Sequence, residues 1–490
     1  MKRRILLALS PQDREWHKLL KAGLQTARKS NVQVDCVQTA NAALSRIAKH
    51  KYALIMASLG LAGGERAPVA ATGGIDLCEQ IRRSSTTPLL LLLPETTDAI
   101  NARCSALAPA VVPLEFGADL PERVIAQLEE TARAPLLDIL IYTTDREDWH
   151  YTLRAESKAY KANGKLQFPH TTRNLLVFNS KRLPKDPDEW SETFDVVGTN
   201  LIQQFCSKQN PNFLRHLRKG LEHSNGIENT RVSFVVERSS YDIALEAVKP
   251  PPPEPPSPWM VRAPLFRSIA GTRPATPELF REPKRLRALV ICADASGYVD
   301  ARVDDKGRAV RYDRLNFVAR ECRTVLELLQ HTGVDAHAFP RTGLTQVKAV
   351  ELIGRLEEGW DIVHIAGHSV YSIREDRGYL VIGKPGAAVE VDFADVAPFL
   401  RKAKLLYLSS CESTSAPFAM TAAKEGVAAV VGYRWPVKDA WGAVHAHMFY
   451  RCLFKHRSVE TAFLRTRRAM YRKRHRGAVW ASSMLVKPGH

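Results

Sequence analysis

The chain has 490 residues, 45% of them hydrophobic and 25% charged. That is the balance of a folded globular protein, with length for about three domains. Its net charge of +18 favours acidic partners or anionic surfaces, and no apolar run is long enough to cross a bilayer.

Residues 1–135 read as an α/β unit. Strand-like runs at Arg4–Leu9, Val32–Val37, Ala53–Ala57 and Pro88–Leu93 alternate with helical patterns at Asn41–Ala48 and Gly74–Arg83. The opening Met-Lys-Arg-Arg-Ile-Leu-Leu-Ala-Leu is too short in its apolar part for a secretory signal and reads as the first strand. With this order of elements, KYALIMASLGL resembles the phosphoacceptor strand of a response-regulator receiver domain, which has a flavodoxin-like fold. The resemblance puts the acceptor position on Ser58, the acidic magnesium-holding pair near Leu9 and Ser10, and the late lysine around Leu114 and Glu115. A phosphoacceptor needs a carboxylate, and magnesium needs oxygen ligands. The resemblance therefore implies a pseudo-receiver that binds a regulatory protein or a second copy of the chain. The other reading is an unrelated flavodoxin-like domain without a recognisable active site.

Residues 136–248 read as an α+β middle domain. LLDILIYTT, WHYTLRAESKAY, RVSFVVE and DIALEAV have the alternation and β-branched or aromatic content of strands, and helices are expected at Trp190–Ser207 and Asn212–His223. No nucleophile–base pair occurs in this segment. Residues 249–285 form a linker and lead-in, opening with Lys249-Pro-Pro-Pro-Pro-Glu-Pro-Pro-Ser-Pro258, a run that favours exposed polyproline II. A spacer is the expected role, with docking of a proline-binding partner as the alternative.

Residues 286–490 alternate strands and helices again. Strands are expected at Leu286–Cys292, Val334–Phe339, Ile362–Gly367, Leu405–Ser410 and Val427–Gly432. Helices are expected at Asp313–Gln330, Thr345–Glu357, Ala440–Leu453 and Ser458–Arg472. The polar stretch Tyr298–Arg308 is a candidate mobile loop. Two apolar runs end in reactive side chains: Asp361-Ile-Val-His-Ile-Ala-Gly-His368 and Leu405-Leu-Tyr-Leu-Ser-Ser-Cys411. Parallel strands buried on both faces have such runs, and open α/β sheets place their sites at strand carboxyl ends. A Cys and a His delivered to one edge make a nucleophile and its base.

HIAGH, LLYLSSCES, GVAAVVGYRWPVKDAWGAVHAHMFY and the final VWASSMLV resemble the CHAT domain, a caspase-like and separase-like cysteine peptidase module of clan CD. DIALEAV followed by PWMVRAPLFRS is similar to the region that often precedes such modules. The resemblance implies His368 as base and Cys411 as nucleophile, with the backbone amides of Ser369 and Cys411 at the oxyanion. Ser369 stands where the family usually has Gly. The resemblance also implies a regulated endopeptidase with a protein substrate, in bacterial defence or controlled proteolysis. A non-catalytic caspase-fold scaffold is the alternative.

Asp439 is a candidate substrate-binding residue. An acidic group in this neighbourhood receives a basic P1 side chain in the resembling peptidases, while its position before a helical pattern also suits an N-cap. His364 reads as a core histidine on the same strand face as His368. No metal or cofactor is expected, since a zinc site from His364, His368 and Cys411 lacks a further ligand. The basic run Arg465–Arg476 has no accompanying nucleic-acid-binding motif, so a solvated helix end stands beside nucleic acid as its reading. Eight scattered cysteines without CxxC spacing suit reduced thiols in a cytoplasm.

Overall fold

The computed structural model describes residues 3–10, 13, 18, 20, 32–50, 52, 54–64, 72–82, 89–93, 111–115, 136–143, 149–155, 160–167, 190–205, 207–224, 230–238, 240–249, 257–272, 280, 283–303, 309–340, 347–372, 374–472 and 479–489. They divide into two units, Met1–Ala134 and Pro135–His490.

In the first unit, β1 (Arg3–Ala8), β2 (Val32–Val37), β3 (Leu54–Ser58), β4 (Leu89–Leu93) and β5 (Val111–Glu115) form a parallel sheet in the order β2-β1-β3-β4-β5. This is the flavodoxin-like strand order. Ile5, Leu7, Leu54 and Met56 enter one core cluster, whereas Leu6, Ala8, Ile55 and Ala57 enter another. Burial on both faces explains why these runs are apolar throughout and do not alternate. The helix Ala40–Lys49 is capped by Thr39, whose hydroxyl accepts from Ala42 N–H at 3.2 Å. At the carboxyl ends of β1 and β3, the buried Ser58 hydroxyl accepts from Ser10 N–H at 2.8 Å. Two serines thus hydrogen-bond at the corner where the receiver resemblance expects carboxylates.

The second unit has β6 (Leu136–Thr143), β7 (Trp149–Ala155), β8 (Lys161–Leu166), β9 (Arg231–Val236), β10 (Leu265–Ile269), β11 (Arg287–Ala293), β12 (Gly297–Val303), β13 (Ala309–Tyr312), β14 (Asp335–Phe339), β15 (Ile362–Ser372), β16 (Arg377–Lys384), β17 (Ala387–Asp392), β18 (Leu405–Ser409), β19 (Val430–Tyr433) and β20 (Ser483–Pro488). Parallel strands β14-β11-β15-β18-β19 form the centre. The sheet continues through antiparallel β20 to β10, β9, β6, β7 and β8. From His368 onward β15 pairs with β16 instead, opening a second layer, β16-β17-β12-β13. Residues alternate between the two core faces. Leu289, Val363, Ile365, Leu406 and Leu408 lie on one, and Val290, Ile362, Ala366, Leu405 and Tyr407 on the other.

Several local expectations change. The middle segment shares one sheet with residues 286–490. DIALEAV forms a single 3-10 turn, Leu245–Ala247, because Glu246 is drawn inward by Arg267 at 2.5 Å. Tyr298–Arg308 contributes most of β12, and residues 304–308 lie outside the described residues. Residues 250–256 of the proline run also lie outside them. The flanks of that run are joined, Trp259 N–H donating to Val248 C=O at 3.0 Å, so the chain leaves and re-enters the same unit. VWASSMLV divides into a short helix, Val479–Ser482, and β20.

Candidate active site

Strand register brings the two motif ends together. Parallel β15 and β18 pair from Ile362↔Leu405 to Ala366↔Ser409. His368 lies two residues further along β15 and Cys411 two residues past the end of β18, so the register delivers both to the same edge of the sheet. Gly367 is required just before the histidine, because an added Cβ would clash with the Ala293 carbonyl oxygen of β11.

The ring of His368 has a partner that no sequence signal announces. Its Nε2 lies 2.7 Å from the carbonyl oxygen of Asp313. A carbonyl can only accept, so Nε2 carries the proton and neutral His368 keeps Nδ1 as its basic nitrogen. Tyr312 packs beside the same ring at 5.2 Å between centroids.

Cys411 is partly exposed, and its sulfur sits between the backbone groups of Val437, 3.4 Å from N–H and 3.8 Å from C=O. Burial pushes its thiol up to about 11, against the lowering effect of the Val437 amide, with Glu412 and Asp439 raising it further. No hydrogen bond joins Cys411 to His368 among the described residues, and the raised thiol is protonated at neutral pH in this geometry. Glu412 follows in the left-handed region at φ 55°, a strained conformation for a residue with a side chain. The turn is tied internally. The buried Ser413 hydroxyl donates within the loop, 2.7 Å from Ser410 C=O and 3.0 Å from Leu408 C=O, and accepts from Tyr433 N–H at 3.1 Å.

Ser369, in place of the family's usual glycine, is buried and links the two strand ends. Its hydroxyl donates to the Cys411 carbonyl oxygen and lies 2.8 Å from Ser410 Oγ. Asp439 begins the helix Asp439–His456. One oxygen accepts from Ala440 N–H at 2.8 Å, and the other from Asn316 N–H at 2.8 Å and Phe317 N–H at 3.1 Å. The carboxylate thus caps its own helix and the start of Val318–His331. Both oxygens already have donors, and an arginine at P1 would have to share them.

His364 is buried two turns of the pleat before His368, with Nε2 3.3 Å from Glu321 and Nδ1 3.4 Å from Tyr450 OH. His445 is also internal, 2.7 Å from Tyr407 OH. No three His, Cys, Asp or Glu side chains converge as a metal-binding group among the described residues.

The turn after β9 braces the site from outside the 286–490 region. Tyr241 OH donates to Thr414 C=O at 2.7 Å, directly beyond the cysteine turn. Arg434 donates to the carbonyls of Asp242 and Ile243. Arg238 pairs with Asp376 at 2.7 Å, where Asp376 also accepts from Tyr371 of β15. A separate cleft of about 480 Å³ lies between this turn and the helix Ala416–Lys424, lined by Arg238, Asp376, Phe393, Pro417, Met420 and Lys424 and by neither His368 nor Cys411.

The basic run is only partly a solvated surface. Arg467 is buried and donates to Ser483 C=O, and Arg468 donates to Val261 C=O at 2.6 Å and to Arg262 C=O. Arg465 and Arg472 are exposed, and residues 473–478 lie outside the described residues.

The CHAT domain family matches residues 231–487, from β9 through β20. The chain belongs to the CHAT domain family. The CHAT match begins before the proline run, so the bracing turn lies inside it. Solved structures similar to the N-terminal part include a two-component response regulator from Clostridium difficile, 20% identical over 27% of this chain and 97% of that one, with a TM-score of 0.22. Another is the chemotaxis response regulator CheY4 of Vibrio cholerae, 19% identical over 27% of this chain and 99% of that one, with a TM-score of 0.21. No curated protein matches the chain. No helix among the described residues is long and apolar enough to cross a membrane.

Proposed function

We propose that this CHAT protein is a cysteine endopeptidase acting through His368 and Cys411. The supporting observation is the β15–β18 register, which carries both residues to one sheet edge while the Asp313 carbonyl fixes the His368 tautomer. Nδ1 of His368 takes the Cys411 proton, and the thiolate attacks the peptide carbonyl carbon. The resulting oxyanion is met by the backbone amides of Ser369 and Cys411. The imidazolium returns its proton to the leaving amine, and water then hydrolyses the thioester. The raised thiol pKa supports a role for substrate or a partner in bringing the base to the sulfur. Regulation through the N-terminal unit, by a protein partner or self-association, in defence or controlled proteolysis, is the setting that goes with this chemistry.

A proteome-wide cleavage screen with the intact chain tests the reading. Cys411→Ala and His368→Ala each lose cleavage by about 10³-fold or more while staying folded. Full cleavage by folded Cys411→Ala would refute it. The absence of a hydrogen bond between the two side chains favours a second reading, a non-catalytic scaffold, in which wild type cleaves nothing in the screen.

A further inference from the structure

Two segments touch the dyad through backbone atoms, and one side chain joins them. The first runs from Tyr312 to Phe317: Tyr312 packs on His368, and the Asp313 carbonyl receives its Nε2–H. The second runs from Val437 to Ala440: the Val437 N–H and C=O flank the Cys411 sulfur. Asp439 bridges the two, with one oxygen on Asn316 and Phe317 N–H and the other on Ala440 N–H.

We propose that Asp439 is a positioning residue for the dyad, clasping the segment that orients His368 to the segment that cradles Cys411. This rests on the peptidase reading and gives Asp439 a role different from receiving a P1 side chain. The chemistry suits the task. The helix Val318–His331 has Phe317 at its N-cap position with no side-chain cap bond from that residue, and the Asp439 carboxylate takes the two amides just ahead of the helix, Asn316 and Phe317. An anion placed at the amino ends of two helices is favoured by both dipoles. A carboxylate also has lone pairs for all three amides, whereas an amide side chain presents one acceptor oxygen. Asn316 is three residues from the carbonyl that sets the His368 tautomer, and Val437 is two residues from Asp439. A shift of the clasp therefore reaches both reacting groups through short, hydrogen-bonded backbone.

The test uses the full chain and a library of peptides differing at P1. Misplacement of reacting groups by about 1 Å costs about 10²-fold in rate. Asp439→Ala should therefore lower kcat about 100-fold with KM within about twofold, equally for basic and apolar P1 residues. Asp439→Asn, nearly isosteric and retaining one acceptor, should lower kcat about tenfold. A second readout does not need cleavage: the rate of Cys411 alkylation against pH by a peptidyl chloromethyl ketone, which fills the substrate site and so brings the base to the sulfur. A thiol paired with His368 alkylates with a plateau through neutral pH, whereas an isolated buried thiol loses about tenfold per pH unit below its pKa. Wild type should show the plateau and Asp439→Ala should lose it. Selective loss of Arg and Lys cleavage through KM would overturn the proposal in favour of a P1 pocket. So would wild-type kcat in Asp439→Asn, which decides the matter if Asp439→Ala fails to fold. A wild-type chain with neither cleavage nor plateau would instead refute the dyad itself, and a plateau retained in both variants would refute only the clasp.

Discussion

Replacing Ser369 separates the stability of the active edge from its chemistry. The hydroxyl is buried and donates to the Cys411 carbonyl, so Ser369→Ala removes the donor and leaves a carbonyl without it. Such a loss costs about 1–2 kcal/mol. Ser369→Gly, which restores the family's usual residue, adds about 0.5–1 kcal/mol of backbone entropy within β15. For a unit the size of Pro135–His490 the unfolding entropy is about 0.75 kcal/mol/K. The expected falls in Tm are therefore about 2 °C for alanine and about 3 °C for glycine. Scanning calorimetry, reading the transition of that unit, gives the values. Both variants keep the residue 369 amide, so kcat/KM should stay within about threefold of wild type. A Tm unchanged in both variants would refute the link between the strand ends. A loss of kcat/KM by about 100-fold in both would show that the hydroxyl, and not the amide, serves the reaction.

Two further outcomes follow from the same packing. An added Cβ at Gly432 would lie 2.5 Å from Ser413 Oγ and 2.9 Å from Thr414 Cγ2. Gly432→Ala should therefore destabilise by about 1–3 kcal/mol in denaturant melts and depress cleavage by displacing the cysteine turn, while unchanged melting and activity would contradict that packing. Burial, reinforced by Arg467, lowers His445 from its ordinary 6.5 to about 3, so the folded protein keeps it neutral where the unfolded chain protonates it. Its contribution is fully present above pH 6.5 and is lost as pH falls toward 3, at up to about 1.4 kcal/mol per pH unit. His445→Phe should flatten stability against pH across that window, and an unchanged slope would place the acid sensitivity elsewhere.

The sequence by itself carried the sheet centres and the two motif ends. Runs such as Leu405–Ser409 and Ile362–Ala366 are apolar throughout because parallel strands bury both faces. A histidine and a cysteine ending two such runs fall at a strand edge for the same reason. Local pattern failed where a distant charge overrode it. DIALEAV alternates like a strand, yet Glu246 folds inward to meet Arg267 and Arg434. Arg467 and Arg468 look like surface charge in sequence, yet their guanidiniums bind carbonyls inside the unit. Tertiary structure alone supplied the Asp313 carbonyl beside His368, the Val437 backbone around Cys411 and the reach of Asp439 to Asn316. Every residue has a backbone carbonyl and most have an amide, so these groups leave no mark on residue identity. Only the folding together of segments 26, 55 and 123 positions apart decides which of them meet at the two residues.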